Sequence, residues 1–149
     1  VDRALGAILK AYYLKNPHPE ISKEVLTVSL NPACKDPAYV LGRLFSVYEA
    51  IQSAANPGIN ANIKDKYFNS AASIPATVFP VLGNMAQKHL KKLKGSNMGL
   101  CVFYEKQITE IAALLGTEFP ARMPPPQQGA FQLGYYHQTQ DRYQKKEEK

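Results

Sequence analysis

An all-α fold, a compact bundle of about five or six helices, is expected from three features of this chain. Apolar residues recur at three- and four-residue steps along several stretches, Pro, Gly and Asn punctuate the intervals between them, and strand-like alternation is confined to one short run. At 149 residues, 45% hydrophobic and 20% charged, the chain has the size and composition of one soluble domain. No run approaches the ~18 consecutive apolar residues of a membrane span.

Leu5, Ile8, Leu9, Tyr12 and Tyr13 give an N-terminal helix that must end near Asn16, because Pro17 and Pro19 follow. Residues 20–35 are open: EVLTVSL alternates as a strand would, whereas Glu20, Ser22 and Lys23 suit a short helix, and periodicity permits either. In DPAYVLGRLFSVYEAIQSAAN the apolar positions Leu41, Leu44, Phe45, Tyr48, Ile51 and Ala55 share one face. Asp36 is placed to cap this helix, with Pro37 at its first position, and Asn56-Pro57-Gly58 to stop it.

Pro57 and Gly58 suit the two central positions of a type II turn, after which IKDKYFNSAAS reads as a short helix. Ser73 then offers an N-cap for PATVFPVLGNMAQKHLKKLK. That helix carries Val78, Val81, Leu82, Met85, Leu90 and Leu93 inward, holds Pro80 near its start or at a kink, and ends at Gly95. MGLCVFYEKQITEIAALLG sets Leu100, Phe103, Ile108, Ile111 and Leu115 on one stripe, with Gly116 as its C-cap. Pro120 and Pro124–Pro126 mark residues 117–128 as an irregular crossing. QGAFQLGYYHQTQDRYQK forms a last helix and KKEEK a solvated end. The expected organisation is a single domain over 1–149: an N-terminal helix and irregular segment (1–36), main helices (37–116), the Pro-rich crossing (117–128), and a C-terminal helix and tail (129–149).

Charge is concentrated rather than spread. Of a net +6, Lys64, Lys66, Lys88, Lys91, Lys92 and Lys94 fall within one interval that contains Asp65 as its only acid, and the rest of the chain is close to balance. Such a field suits a polyanion, because lysines that neutralise phosphates release condensed counterions; it equally suits a solvated helix face.

No catalytic constellation is legible. GxxxxGKS, GxGxxG and HExxH are absent, and the twelve acids are scattered rather than gathered for a divalent metal. His137 and Asp141, at i and i+4, read as a helix-surface contact. Cys34 and Cys101 lack the spacing of a zinc site and read as buried or half-buried thiols, with a disulfide between them the alternative, and with no export signal at the start the expected location is the cytoplasm. Tyr12, Tyr48 and Tyr104 read as core or half-core residues. In LGYYHQ, Tyr135 and Tyr136 point about 100° apart, so one can pack while the other, with His137 and Gln138, faces out near Arg142, for stacking on a base or packing on a partner.

Three blocks carry a family resemblance: YVLGRLFSVYEAIQSAANPGINANIKDKYFNSAASIPATVFPVLGNMAQKHLKKLK, GLCVFYEKQITEI and QGAFQLGYYHQTQDRYQKK. Together they resemble, over residues 38–146, the C-terminal part of the large-subunit family of type I-C CRISPR Cascade, an RNA-guided surveillance complex. In that family this helical region is also made as a separate small subunit by internal translation, which a chain opening on Val1 is similar to. The resemblance implies a subunit without catalysis or cofactor, bridging the backbone and large subunits and a neighbouring copy of itself and helping hold guide RNA and target DNA, with no membrane contact. Sequence is then read by base pairing, so the protein needs only positive surface for sugar-phosphate.

The candidate nucleic-acid contacts are Lys64, Lys66, Lys88, Lys91, Lys92 and Lys94, with Arg43, Arg122 and Arg142 beside them. Arg43 equally suits an internal or intersubunit salt bridge. Asn60, Asn62, Tyr135, Tyr136 and Gln138 are the candidate partner contacts; for Asn60 and Asn62 local bonds to backbone groups are the alternative. A purely structural scaffold is the competing functional class.

Overall fold

The computed structural model describes residues 7–8, 25, 27–116 and 119–147. Five helices follow one another: α1 (Pro37–Ala55), α2 (Ile63–Ser73), α3 (Pro75–Ser96), α4 (Met98–Ala112) and α5 (Pro125–Glu147). With no strand among the described residues, the fold is all-α. Of the expected N-terminal helix only Ala7 and Ile8 are described, and both are helical; the rest lies outside the described residues. Val25 and residues 27–35 form turns and bends, so the described part of EVLTVSL is neither strand nor helix.

The start of α1 follows from its sequence. The Asp36 carboxylate accepts from the Ala38 and Tyr39 amides at 3.0 and 3.4 Å, and Pro37 occupies the first turn, where a missing N–H costs nothing. From Ala38 to Val47 every residue is buried. An ordinary amphipathic helix buries one stripe; α1 instead meets each of the other four helices and acts as the axis of the bundle.

Its tightest neighbour is α5, and two glycines set the approach. A Cβ on Gly42 would fall 1.9 Å from the Phe131 carbonyl oxygen, and one on Gly134 would fall 2.0 Å from that of Tyr39. The two backbones therefore touch at these positions. Around the crossing, Phe45, Phe68, Phe131 and Tyr135 pack edge to face or tilted, with ring centroids 5.0–5.9 Å apart.

Two corners close the bundle. At the first, Ile59 N–H donates to Asn56 O at 3.1 Å and Gly58 takes φ +83°, the backbone that the Pro-Gly turn requires. Gln52 of α1 then caps α2 from a distance, its Oε1 accepting from the Asn62 and Ile63 amides at 3.0 and 3.2 Å. At the second corner Ser73 is the last residue of α2 rather than the cap of α3. Its hydroxyl donates back to Asn69 O at 2.9 Å, which leaves Ile74 at the cap position and Pro75 to open α3. Residues 119–124 cross over this junction through Ala76 N–H to Pro120 O (3.1 Å) and Met123 N–H to Ser73 O (2.9 Å).

Elsewhere the helices depart from their expected faces and ends. In α3, Pro80 lies on the exposed side of an unbroken helix that runs one residue past Gly95, and Val81 is 46% exposed instead of inward. In α4 the buried line is Cys101, Tyr104 and Ile111, the side packed against α1 and α3, while Phe103 is exposed; Asn97 caps the helix through Leu100 N–H. α4 gives way to turns after Ala112, four residues before the expected cap at Gly116. α5 begins within the Pro run at Pro125 and continues to Glu147, into the expected tail. No helix among the described residues is long and apolar enough to cross a membrane.

Candidate nucleic-acid interface

α3 is amphipathic in an unusually clean way over its second half. Leu82, Ala86, Leu90 and Leu93 are buried, and Lys88, Lys91, Lys92 and Lys94 are exposed on the opposite arc, which at 100° per residue spans roughly 160° of the helix. Among the described residues the salt bridges are Lys106–Glu110 and Lys145–Asp141, both elsewhere, so no carboxylate among them neutralises this ridge. The lysine ammonium groups repel one another and remain available to an anion.

The ridge is anchored to the first corner. Lys92 Nζ donates to Asn56 Oδ1 at 2.8 Å, while Asn56 Nδ2 donates to Gln52 O at 2.8 Å and lies 3.4 Å from His89 Nδ1. Burial, reinforced by the Lys92 charge, lowers the His89 pKa below its usual 6.5. Asn56 thus joins the end of α1 to the basic face of α3.

The other predicted residues divide by environment. Lys66 and Arg122 are exposed. Lys64 is half-buried, its ammonium 4.9, 5.2 and 5.7 Å from the ring centres of Tyr135, Tyr136 and Phe68. That cation sits on an aromatic cluster rather than projecting freely. Asn60 is exposed and, with Arg142, Tyr104 and Tyr143, lines a groove of about 570 Å³; Asn62 is committed locally, its Oδ1 accepting from Gln52 Nε2 at 2.8 Å.

Arg43, Gln138, Tyr135 and Tyr136 are not on the surface of this chain. They are 6%, 3%, 2% and 7% exposed. Arg43 Nε donates to Gln138 Oε1 at 2.9 Å, an internal amide bond in place of a salt bridge, and Tyr135 donates to the Glu49 carboxylate. His137 is buried too, its Nδ1 2.8 Å from Tyr39 Oη, and the Asp141 carboxylate pairs with Lys145 at 3.2 Å. Arg142 is half-buried and donates to the Ser46 hydroxyl and carbonyl at 3.2 and 3.4 Å. Ser46 and Thr139 hydroxyls complete the series at 2.7 Å. These contacts form a polar seam between α1 and α5, since groups removed from water must bond one another.

A protein-family model described as CRISPR-associated protein (Cas_Csd1) matches residues 1–143. The chain belongs to this family. Comparison with curated proteins gives no match. Membership gives the Cas_Csd1 chain a role in a CRISPR system, and the ridge on α3 presents it with four exposed lysines that make no salt bridge among the described residues.

Sequence reasoning missed Gln52, the tie from Asn56 to Lys92 and His89, and the seam. A signal for the seam was present: Tyr39, Arg43 and Ser46 on α1, and Tyr135, Gln138 and Arg142 on α5, follow the same four-then-three or three-then-four spacing that marks one helix face. Among the described residues no cluster of three His, Cys, Asp or Glu side chains could hold a metal.

Proposed function

We propose that this chain is a non-catalytic small subunit of an RNA-guided CRISPR surveillance complex, type I-C Cascade, and that it steadies guide RNA and target DNA through sequence-independent phosphate contacts. The observation that carries this reading is the lysine ridge of α3, exposed and without a salt bridge among the described residues, beside a corner that Gln52 and Asn56 tie together. Lysines displayed on a fixed helix suit a backbone whose phosphates recur regularly, and in RNA-guided recognition the target sequence is read by base pairing.

The test is to replace Lys88, Lys91, Lys92 and Lys94 by Gln in the assembled complex and measure target-DNA binding across salt concentration. Affinity should fall, and the slope of log affinity against log salt should flatten by about 0.7 to 0.9 for each phosphate no longer neutralised. Helicity should be unchanged, because all four side chains are exposed and the bond that one of them makes, Lys92 to Asn56, lies at the surface. Unaltered affinity and slope would reject the phosphate role.

A scaffold without nucleic-acid contact is the second reading, and one observation favours it. Met98, Val102 and Phe103, on the outer face of α4, are about half exposed at 50%, 54% and 49%. With Tyr135 and Tyr136 buried, this face replaces them as the candidate protein contact. Val102→Ser with Phe103→Ser would then release the chain from the complex in a pull-down, while the lysine variants would not.

A further inference from the structure

Between α1, α4 and α5 lies a cavity of about 330 Å³ lined by two residues that each carry a buried polar atom without a hydrogen-bond partner. Arg43 Nη1 and Gln107 Oε1 are both buried and make no hydrogen bond, and both residues line the cavity. Buried polar atoms are nearly always bonded, so a donor and an acceptor left open at one cavity point to a missing ligand. The volume falls within the range of small-ligand clefts. Glu110 and Lys145, exposed at its rim, open it to solvent.

The lining selects the chemistry. Arg43 disfavours a cation. Glu110 and Asp141, which also line the space, disfavour a phosphate or carboxylate, and Lys145 is already engaged with Asp141 at 3.2 Å. A fitting guest is neutral, offers acceptors to the guanidinium on one edge and donors to Gln107 Oε1 and the Glu110 carboxylate on another. Leu30 and Ile111 supply apolar wall to a flat ring. Among nucleobases guanine meets these demands: O6 and N7 are adjacent acceptors that match arginine, and N1–H and the 2-amino group are adjacent donors that match a carboxylate or amide oxygen. Adenine would turn an amino donor toward Arg43.

We propose that this cavity receives an unpaired guanine base. The inference stands apart from the lysine ridge, since a nucleoside carries no phosphate. The test is to titrate the full chain with guanosine, adenosine and inosine by calorimetry. Guanosine should bind at least about tenfold more tightly than adenosine, with inosine, which lacks the 2-amino group, weaker than guanosine. Glu110→Gln and Gln107→Leu should each weaken guanosine binding with helicity unchanged, and the four-lysine variant should bind guanosine as the parent does. Equal or absent binding of guanosine and adenosine at millimolar concentration would overturn the proposal. So would a parent chain that binds neither nucleoside while Gln107→Leu melts higher, the behaviour of a cavity filled only by water. Loss of retention in the complex by Glu110→Gln, without any guanosine binding, would assign the cavity to a partner's amide group and reject the base.

Discussion

Gly42 and Gly134 each sit against the backbone of the other's helix, so that a methyl group at either position would lie about 2 Å from a carbonyl oxygen, 1.9 Å in one case and 2.0 Å in the other. The obstructing atoms are main chain and cannot rotate away. Gly42→Ala or Gly134→Ala must therefore push α1 and α5 apart and stretch the seam between them. Each should cost about 2 to 3 kcal/mol, as overpacking commonly does, and lower the melting temperature by on the order of 10 °C. Gly95 has no neighbour within 4 Å, so Gly95→Ala, followed by the same circular-dichroism melt, should be neutral or slightly stabilising.

Tyr39 sets an alkaline limit on the fold. Its hydroxyl accepts from Asn31 N–H at 3.1 Å and lies 2.8 Å from His137 Nδ1, and burial pushes its pKa from 10.0 up to about 12. A raised pKa means that the folded state holds the phenol proton more tightly than the unfolded state. The resulting stabilisation is complete below pH 10 and is lost as pH rises from 10 through 12. Urea unfolding should show stability falling by about 2 to 3 kcal/mol across that window. Tyr39→Phe should be less stable near pH 7, where Asn31 and His137 each lose one hydrogen bond, yet decline less steeply above pH 10. Burial also raises Tyr48 and Tyr104, so some decline should persist.

Lys64 and Lys66 lie two residues apart and should behave oppositely. Lys64 rests on Phe68, Tyr135 and Tyr136, whereas Lys66 is exposed. Lys64→Gln removes a cation from the ring faces and should cost about 0.5 to 2 kcal/mol of stability. Lys66→Gln should leave the melting curve unchanged and weaken salt-dependent DNA binding by the assembled complex. A stability loss at Lys66 with none at Lys64 would invert this assignment.

Helix positions were legible wherever the sequence carried its own punctuation. Asp36-Pro37 and Asn56-Pro57-Gly58 bound α1 because a carboxylate cap, a fixed φ and a glycine turn act within a few residues of chain. Burial was less legible, since it depends on neighbours distant in sequence. Nothing local to Arg43 or Gln138 says that one will bond the other across the α1–α5 contact, 95 residues apart. The lysine ridge could be read because charge at helical spacing remains on the surface unless a partner covers it. Lys64 escaped that rule because the rings beneath it come from two helices, α2 and α5.

His89 offers a proton-linked report on the ridge. It is half-buried next to Asn56, and burial followed by the Lys92 charge lowers its pKa below 6.5. The folded state thus disfavours the imidazolium, so its contribution to stability is present above pH 6.5 and is lost as pH falls through the depressed value. Lys92→Gln should move the His89 titration, followed by its imidazole proton resonance, upward toward 6.5. A phosphate held at Lys92 should move it the same way, because an anion offsets the charge that opposes protonation. Binding would then take up protons, and the affinity of the complex for DNA should increase as pH falls from 7 to 6. The increase should diminish in His89→Gln, which cannot titrate. A His89 titration identical in the parent and Lys92→Gln would show that the ridge charge does not reach the imidazole.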